Sequence, residues 1–138
     1  MTGGQERDGG SMAVELAIIM PLLLLLLSLV YGYGRVAQMN GTLEAGTRDA
    51  ARSASQARSA DQAQQVAERA VRISLPAGAT QCLGTLDVVL DGLFAGGQSV
   101  TVTSTCTYPL GDLLPGVPGT VEASSSFTSP LDPNRGVR

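Results

Sequence analysis

Residues 9–34 read GGSMAVELAIIMPLLLLLLSLVYGYG, and the reading of this stretch decides the architecture of the chain. From Ala13 to Tyr33 the only strongly polar side chain is Glu15. At a helical rise of about 1.5 Å per residue this length covers roughly 31 Å, close to the ~30 Å hydrocarbon core of a bilayer. The successive leucines Leu22 to Leu27 would present apolar surface on every side of a helix, which a small domain could not cover. The stretch therefore predicts a transmembrane helix over residues 11–34, not a buried soluble one. A cleaved secretory signal fits less well. The apolar run exceeds the roughly 7–15 residues of a signal core, and the following YGYGRVAQ offers only a mediocre small-x-small site.

Three features inside the span carry further expectations. Pro21 removes a backbone donor and clashes with the carbonyl of Ala17, which predicts a kink. Ser28 and Gly32 form a small-xxx-small pair that would let a partner helix pack closely. Glu15 costs about 2.5–3.5 kcal/mol at mid-membrane, so an acid there is by default a functional-site hypothesis; near the interface, in the first turn of a helix, it would also face unsatisfied amides.

Composition narrows the function. The chain has 138 residues, enough for one membrane segment and one small module, and leaves no room for a large catalytic core. Its formal charge is −3, with all nine basic side chains arginine and no histidine. No stretch is basic enough to track a phosphate backbone, so nucleic acid is not an expected partner. Without His or Lys, the commonest general base, the phosphate-loop lysine and Schiff-base chemistry are all missing. Serines are plentiful, but none has a conventional activating base. Asp87 and Asp91 lack the alternating oxygen ligands of a calcium loop and read as strand-end and turn residues. No enzyme activity, metal or cofactor is expected.

Beyond the span, residues 35–75 keep a helical character. Val36, Met39, Leu43, Ala50, Ala54, Ala57, Val66, Ala70 and Ile73 form a thin, alanine-rich stripe. Gly41 and Gly46 make a bend or break near its start plausible. Pro76, Ala77 and Gly78 end the helix. Residues 76–130 then read as a small β-rich domain, with strands at 85–90 (TLDVVL), 99–108 (SVTVTSTCTY) and 120–127 (TVEASSSF) in antiparallel order. Phe94, Tyr108 and Phe127 are its only aromatics, so a staple is expected. Cys82 and Cys106 supply it as a disulfide, worth roughly 3.5 kcal/mol in the loop-entropy model; two thiols without His or a CxxC pair make a poor metal site. Residues 131–138, LDPNRGVR, read as a flexible, turn-forming tail. The fold class is thus α+β: a long N-terminal helix, transmembrane and then amphipathic, followed by a small antiparallel sheet with one disulfide.

Orientation draws on opposed signals. Arg35, Arg48 and Arg52 follow the span and by the positive-inside rule would hold the C-terminal side in the cytoplasm. The two cysteines and the Ser/Thr-rich strands suit an oxidising exterior, and the basic-poor stretch from 73 to 134 meets no charge barrier. The cysteines carry more weight here, giving a single-pass protein with its C-terminal domain outside.

The leader MTGGQERDGG ends in glycine, the apolar helix begins at once, and Glu15 stands fifth from Ser11. This layout resembles the class III signal of prepilins and pseudopilins, cut after the glycine by a membrane peptidase. The wider stretch SMAVELAIIMPLLLLLLSLVYGYGRVAQMNGTLEAGTRDAAR, with its Val-Glu start, its proline followed by leucines and its aromatic-Gly-Arg exit, resembles the head of TadE-like proteins, minor pseudopilins of the tight-adherence (Tad/Flp) pilus system. The likeness covers roughly residues 10–52. It departs in Leu16, where the family usually has Phe or Tyr. The resemblance implies a leader of residues 1–10, cleavage between Gly10 and Ser11, and a new amine at Ser11 that Glu15 of a neighbouring chain can neutralise. It implies as partners the bilayer, a prepilin peptidase, the major Flp-type pilin, other minor pilins and the Tad inner-membrane assembly platform. The location implied is the bacterial inner membrane, then the pilus. From a different class, an uncleaved single-pass anchor displaying an extracellular binding module is the alternative.

Overall fold

A computed structural model describes residues 8–112 and 116–134. Helix α1 runs from Asp8 to Ser55 without interruption, 48 residues or about 72 Å. Helix α2 spans Ala60–Ser74 and the short α3 spans Thr80–Thr85. Strands β1 (Asp87–Asp91), β2 (Ser99–Pro109) and β3 (Thr120–Pro130) follow, forming one antiparallel sheet in the order β1-β2-β3. The α+β architecture and its three strands agree with the sequence reading.

The helical region differs from the expectation in where it breaks. Gly41 and Gly46 both lie inside α1, and the chain turns at residues 56–59 instead. Ser59 there adopts an extended conformation and its side chain accepts the Gln62 N–H, capping α2, with Asp61 in the first turn. The result is a helical hairpin. Because the turn resets the helical phase, the face of α2 that is buried is Ala63, Ala67 and Val71, whereas Ile73, assigned to the stripe by a single unbroken period, is 76% exposed. Leu43, Ala50 and Ala54 on α1 and Ala57 in the turn are buried as the stripe required. Leu75 ends α2 in an extended conformation, as a residue before proline must.

The hairpin covers one face of the sheet. Val100, Val102, Ser104, Cys106 and Tyr108 alternate inward along β2, joined by Val88 and Ala123. The opposite face carries Thr101, Thr103, Thr105 and Thr107, opposed across the β2–β3 ladder by Thr128, Ser126, Ser124 and Glu122. The core is small because its helices contribute mainly alanines.

The segment before β1 is α3 and not the start of a strand, so β1 begins at Asp87, two residues later than the alternation suggests. Cys82, on α3, is joined to Cys106 on β2, with their Cα atoms 4.9 Å apart. Thr85 reinforces this junction: its Oγ1 accepts the Thr107 N–H at 3.0 Å and donates to the Thr107 carbonyl at 3.2 Å. At the other end, Leu131 is buried and its N–H donates to the Gln98 carbonyl, so this residue belongs to the domain and not to the tail that composition suggests. Asn134 N–H bonds to Asp132 Oδ1, a local turn of the kind expected there; residues 135–138 lie outside the described residues.

Candidate functional site

The apolar half of α1 is bare. All its large apolar side chains from Met12 to Val30, and the aromatic Tyr31 and Tyr33 that follow, are exposed, Met12 at 76% and Leu22 at 68%. The apolar stretch of the helix from Met12 to Val30 is nowhere buried, and the helix is long and apolar enough to cross a bilayer. Nothing among the described residues covers this surface, and in water it would be an aggregation liability.

Of the residues singled out in sequence, Gly10 and Ser11 lie within the first turns of α1; most of the leader, residues 1–7, lies outside the described residues. Helix α1 extends back at least to Asp8, which puts Glu15 two turns inside it. The amides of a helix start act within about one turn, so the dipole does not account for an acid at this position while residues 8–10 are helical. Glu15 is exposed and makes no ion pair or hydrogen bond among the described residues. Pro21 is accommodated within the continuous helix. Ser28 turns its hydroxyl back onto the Leu24 carbonyl at 2.8 Å, which satisfies it in an apolar medium without a partner helix.

Beyond its apolar stretch, α1 lies along the sheet. Tyr108, opposite Val121 in the ladder, donates its hydroxyl to Asn40 Oδ1 at 3.5 Å, and the Arg48 guanidinium sits 5.2 Å from the centre of the Phe127 ring. Asn40 to Arg48 therefore runs beside Val121 to Phe127 in the same direction. Arg48 also pairs with Glu44 at 3.1 Å, an exposed i,i+4 bridge of small energetic weight. Between α1 and β3 these residues line a cleft of about 420 Å³ bounded by Asn40, Glu44, Arg48, Glu122 and Phe127. A second, smaller cleft lies where α1 leaves the domain, beside Arg35, Met39, Thr80 and Tyr108. Burial raises the Tyr108 phenol above its ordinary value.

The structure brings Cys82 and Cys106 together and leaves Gly10, Ser11, Glu15, Pro21, Ser28 and Gly32 strung along one helix. Sequence reasoning misses the Arg48–Phe127 contact, the cleft beside it and the role of Gln64, whose Nε2 donates to the Val88 carbonyl at 2.6 Å. The Ser59 cap followed by Asp61 is a signal that could have placed α2, and hence Gln64, correctly.

The family model described as TadE-like protein matches residues 10–52, which is α1 from its first turn to within three residues of its end. The match links this part of the chain to the Tad pilus system and to membrane association. No curated protein and no solved structure matches the chain.

Proposed function

We propose, from the TadE-like segment and the bare apolar helix that it covers, that this chain is a minor pseudopilin whose work is assembly and not turnover. The leader, residues 1–10, stays in the cytoplasm and is removed by a prepilin peptidase after Gly10. The apolar part of α1 remains in the inner membrane, and the disulfide-bonded domain stands outside it. Ser11 then carries the N-terminal amine and Glu15 becomes the fifth residue of the mature chain. In the low dielectric of the bilayer, Glu15 neutralises the Ser11 amine of a neighbouring subunit, which lowers the cost of holding either charge there. Ser28 and Gly32 give the neighbour a close approach. The subunit is thereby drawn into a Tad-type pilus, or onto its platform, beside the major pilin and other minor pilins.

The observation that carries this reading is the coincidence of three things on one helix: a family match that begins at Gly10, an apolar surface exposed all round, and an acid that no side chain among the described residues satisfies. The test is the N-terminal mass of the protein recovered from membranes of cells with and without the prepilin-type peptidase. A start at Ser11 that depends on the peptidase is expected. An intact leader in both strains would instead identify an uncut anchor, and a start beyond Tyr33 a secreted protein.

A further inference from the structure

The two edges of the sheet are built differently. Strand β1 has five residues, carries Asp87 and Asp91 at its ends, and has its Val88 carbonyl taken by Gln64. Shortness, charge and cover are the means by which proteins prevent strand addition. Strand β3 is neither short nor strongly charged. It is eleven residues long, pairs one to one with β2 from Thr120 to Pro130 without a bulge, has no proline before Pro130 and bears Glu122 as its single charge. Among the described residues no hydrogen bond from another element reaches its outer side. Only alternate residues of an edge strand use their backbone groups toward the neighbour, so about five N–H and five C=O groups of β3 face outward unpaired.

We propose that β3 is completed by a strand from a different polypeptide, an extended and largely uncharged segment that adds to the sheet through main-chain hydrogen bonds. Its side chains on the outer face meet Ser124, Ser126 and Thr128, where hydroxyl pairing already crosses the sheet: Thr101 to Thr128 at 2.8 Å and Thr103 to Ser126 at 3.2 Å. Hydroxyl-bearing or β-branched residues continue that row. Glu122 has no ion-pair partner among the described residues and selects a basic residue opposite it. The alternate side chains enter the cleft beside Glu44, Arg48 and Phe127, which admits small polar groups.

A second copy of this chain does not fit. Two antiparallel edge strands joined by a two-fold in one sheet have that axis normal to the sheet. Helix α1 runs alongside β3, so such an axis reverses α1, and two copies entering one membrane from the same side cannot be related in this way. Head-to-tail addition would set β3 against the short, charged and covered β1. This exclusion rests on the membrane insertion proposed above; the open edge does not.

The test uses the full-length protein in the cells that make it. A photoreactive residue replaces Glu122, Ser124, Ser126 and Thr128 in turn, and the partner residue captured by each is mapped by mass spectrometry. Capture of one other polypeptide, with the contact moving by two residues per step, is the expected signature of strand pairing. Ser124→Lys combined with Ser126→Lys should abolish capture from positions 122 and 128 while the Cys82–Cys106 bond still forms. Capture without the two-residue progression, capture of a second copy, or no capture overturns the proposal, and the ladder decides the matter even where the paired lysines disturb folding. Membrane fractionation of the same samples reads the anchor separately. A soluble chain sinks the proposed insertion, whereas a membrane-bound chain without the ladder sinks strand addition alone.

Discussion

Gly46 of α1 and Ser74 of α2 meet so closely that a Cβ on Gly46 would stand 2.9 Å from the Ser74 Cβ. The helical hairpin is held at this distance by small residues, Ala50, Ala54, Ala63 and Ala67 among them. Gly46→Val should therefore push the helices apart and lower stability by about 1–3 kcal/mol. At Gly41, on the same helix, an added methyl group would meet nothing within 4 Å. Gly41→Ala should raise stability by about 0.5–1 kcal/mol through helix propensity alone. Thermal unfolding of the two variants in detergent, compared with the parent, should show opposite shifts.

The Cys82–Cys106 bond joins α3 to the central strand. Reduction, or Cys82→Ser with Cys106→Ser, should cost roughly 3.5 kcal/mol by the loop-entropy estimate. Denaturant unfolding with and without reductant measures it, and an unchanged midpoint would remove the bridge from the account of stability.

Ser104 faces the helices from the middle of β2, fully buried, and its hydroxyl has no hydrogen-bond partner among the described residues. A buried unsatisfied hydroxyl costs about 1–3 kcal/mol. Ser104→Ala should accordingly stabilise the domain, by about 1 kcal/mol, and a lowered melting temperature in this variant would contradict the assignment.

Burial raises the pKa of Tyr108 above its ordinary 10.0. For an acid whose pKa is higher folded than unfolded, the stability seen at neutral pH is fully present below the unfolded value and is lost as pH rises from there through the folded value. Unfolding midpoints should therefore fall above about pH 10. Tyr108→Phe should flatten that part of the profile, at the cost of the hydrogen bond to Asn40.

Glu15→Gln keeps the shape of the side chain and removes its charge. Membrane recovery should be unchanged, since an amide inserts at least as readily as a carboxylate. Co-purification with other pilins, or pilus formation, should be impaired. Unaltered assembly in this variant would sink the pairing with Ser11.

Much of this is legible in the sequence because the deciding signals are local. The run from Ala13 to Tyr33 marks a helix long and apolar enough to cross a bilayer, and the alternation of Val100, Val102, Cys106 and Tyr108 with four threonines marks β2 and its two faces. The helical hairpin is less legible. Gly41 and Gly46 are intrinsically poor helix residues, but each is tolerated in α1, and at Gly46 the missing side chain is what lets α2 approach. The real break rests on Ser59, whose capping role depends on a turn that no apolar pattern marks. Sequence alternation starts β1 two residues early because Thr85 and Leu86 suit a strand locally, while the bond from Cys82 to β2 sets a helical turn before it. The contrast between the sheet's edges is invisible for another reason: Gln64 meets Val88 only after the hairpin and the sheet have packed.

Because α1 runs from its apolar stretch to the sheet as one unbroken helix, the compass bearing of each residue about its axis is tied to every other. On an ideal helix of 3.6 residues per turn Glu44 follows Glu15 by about eight full turns, which sets the two acids on the same side. Glu44 lines the cleft beside β3. On the proposed pairing, a neighbouring helix that meets Glu15 stands beneath the open edge of the sheet, and the bearing chosen there also decides what β3 faces above it.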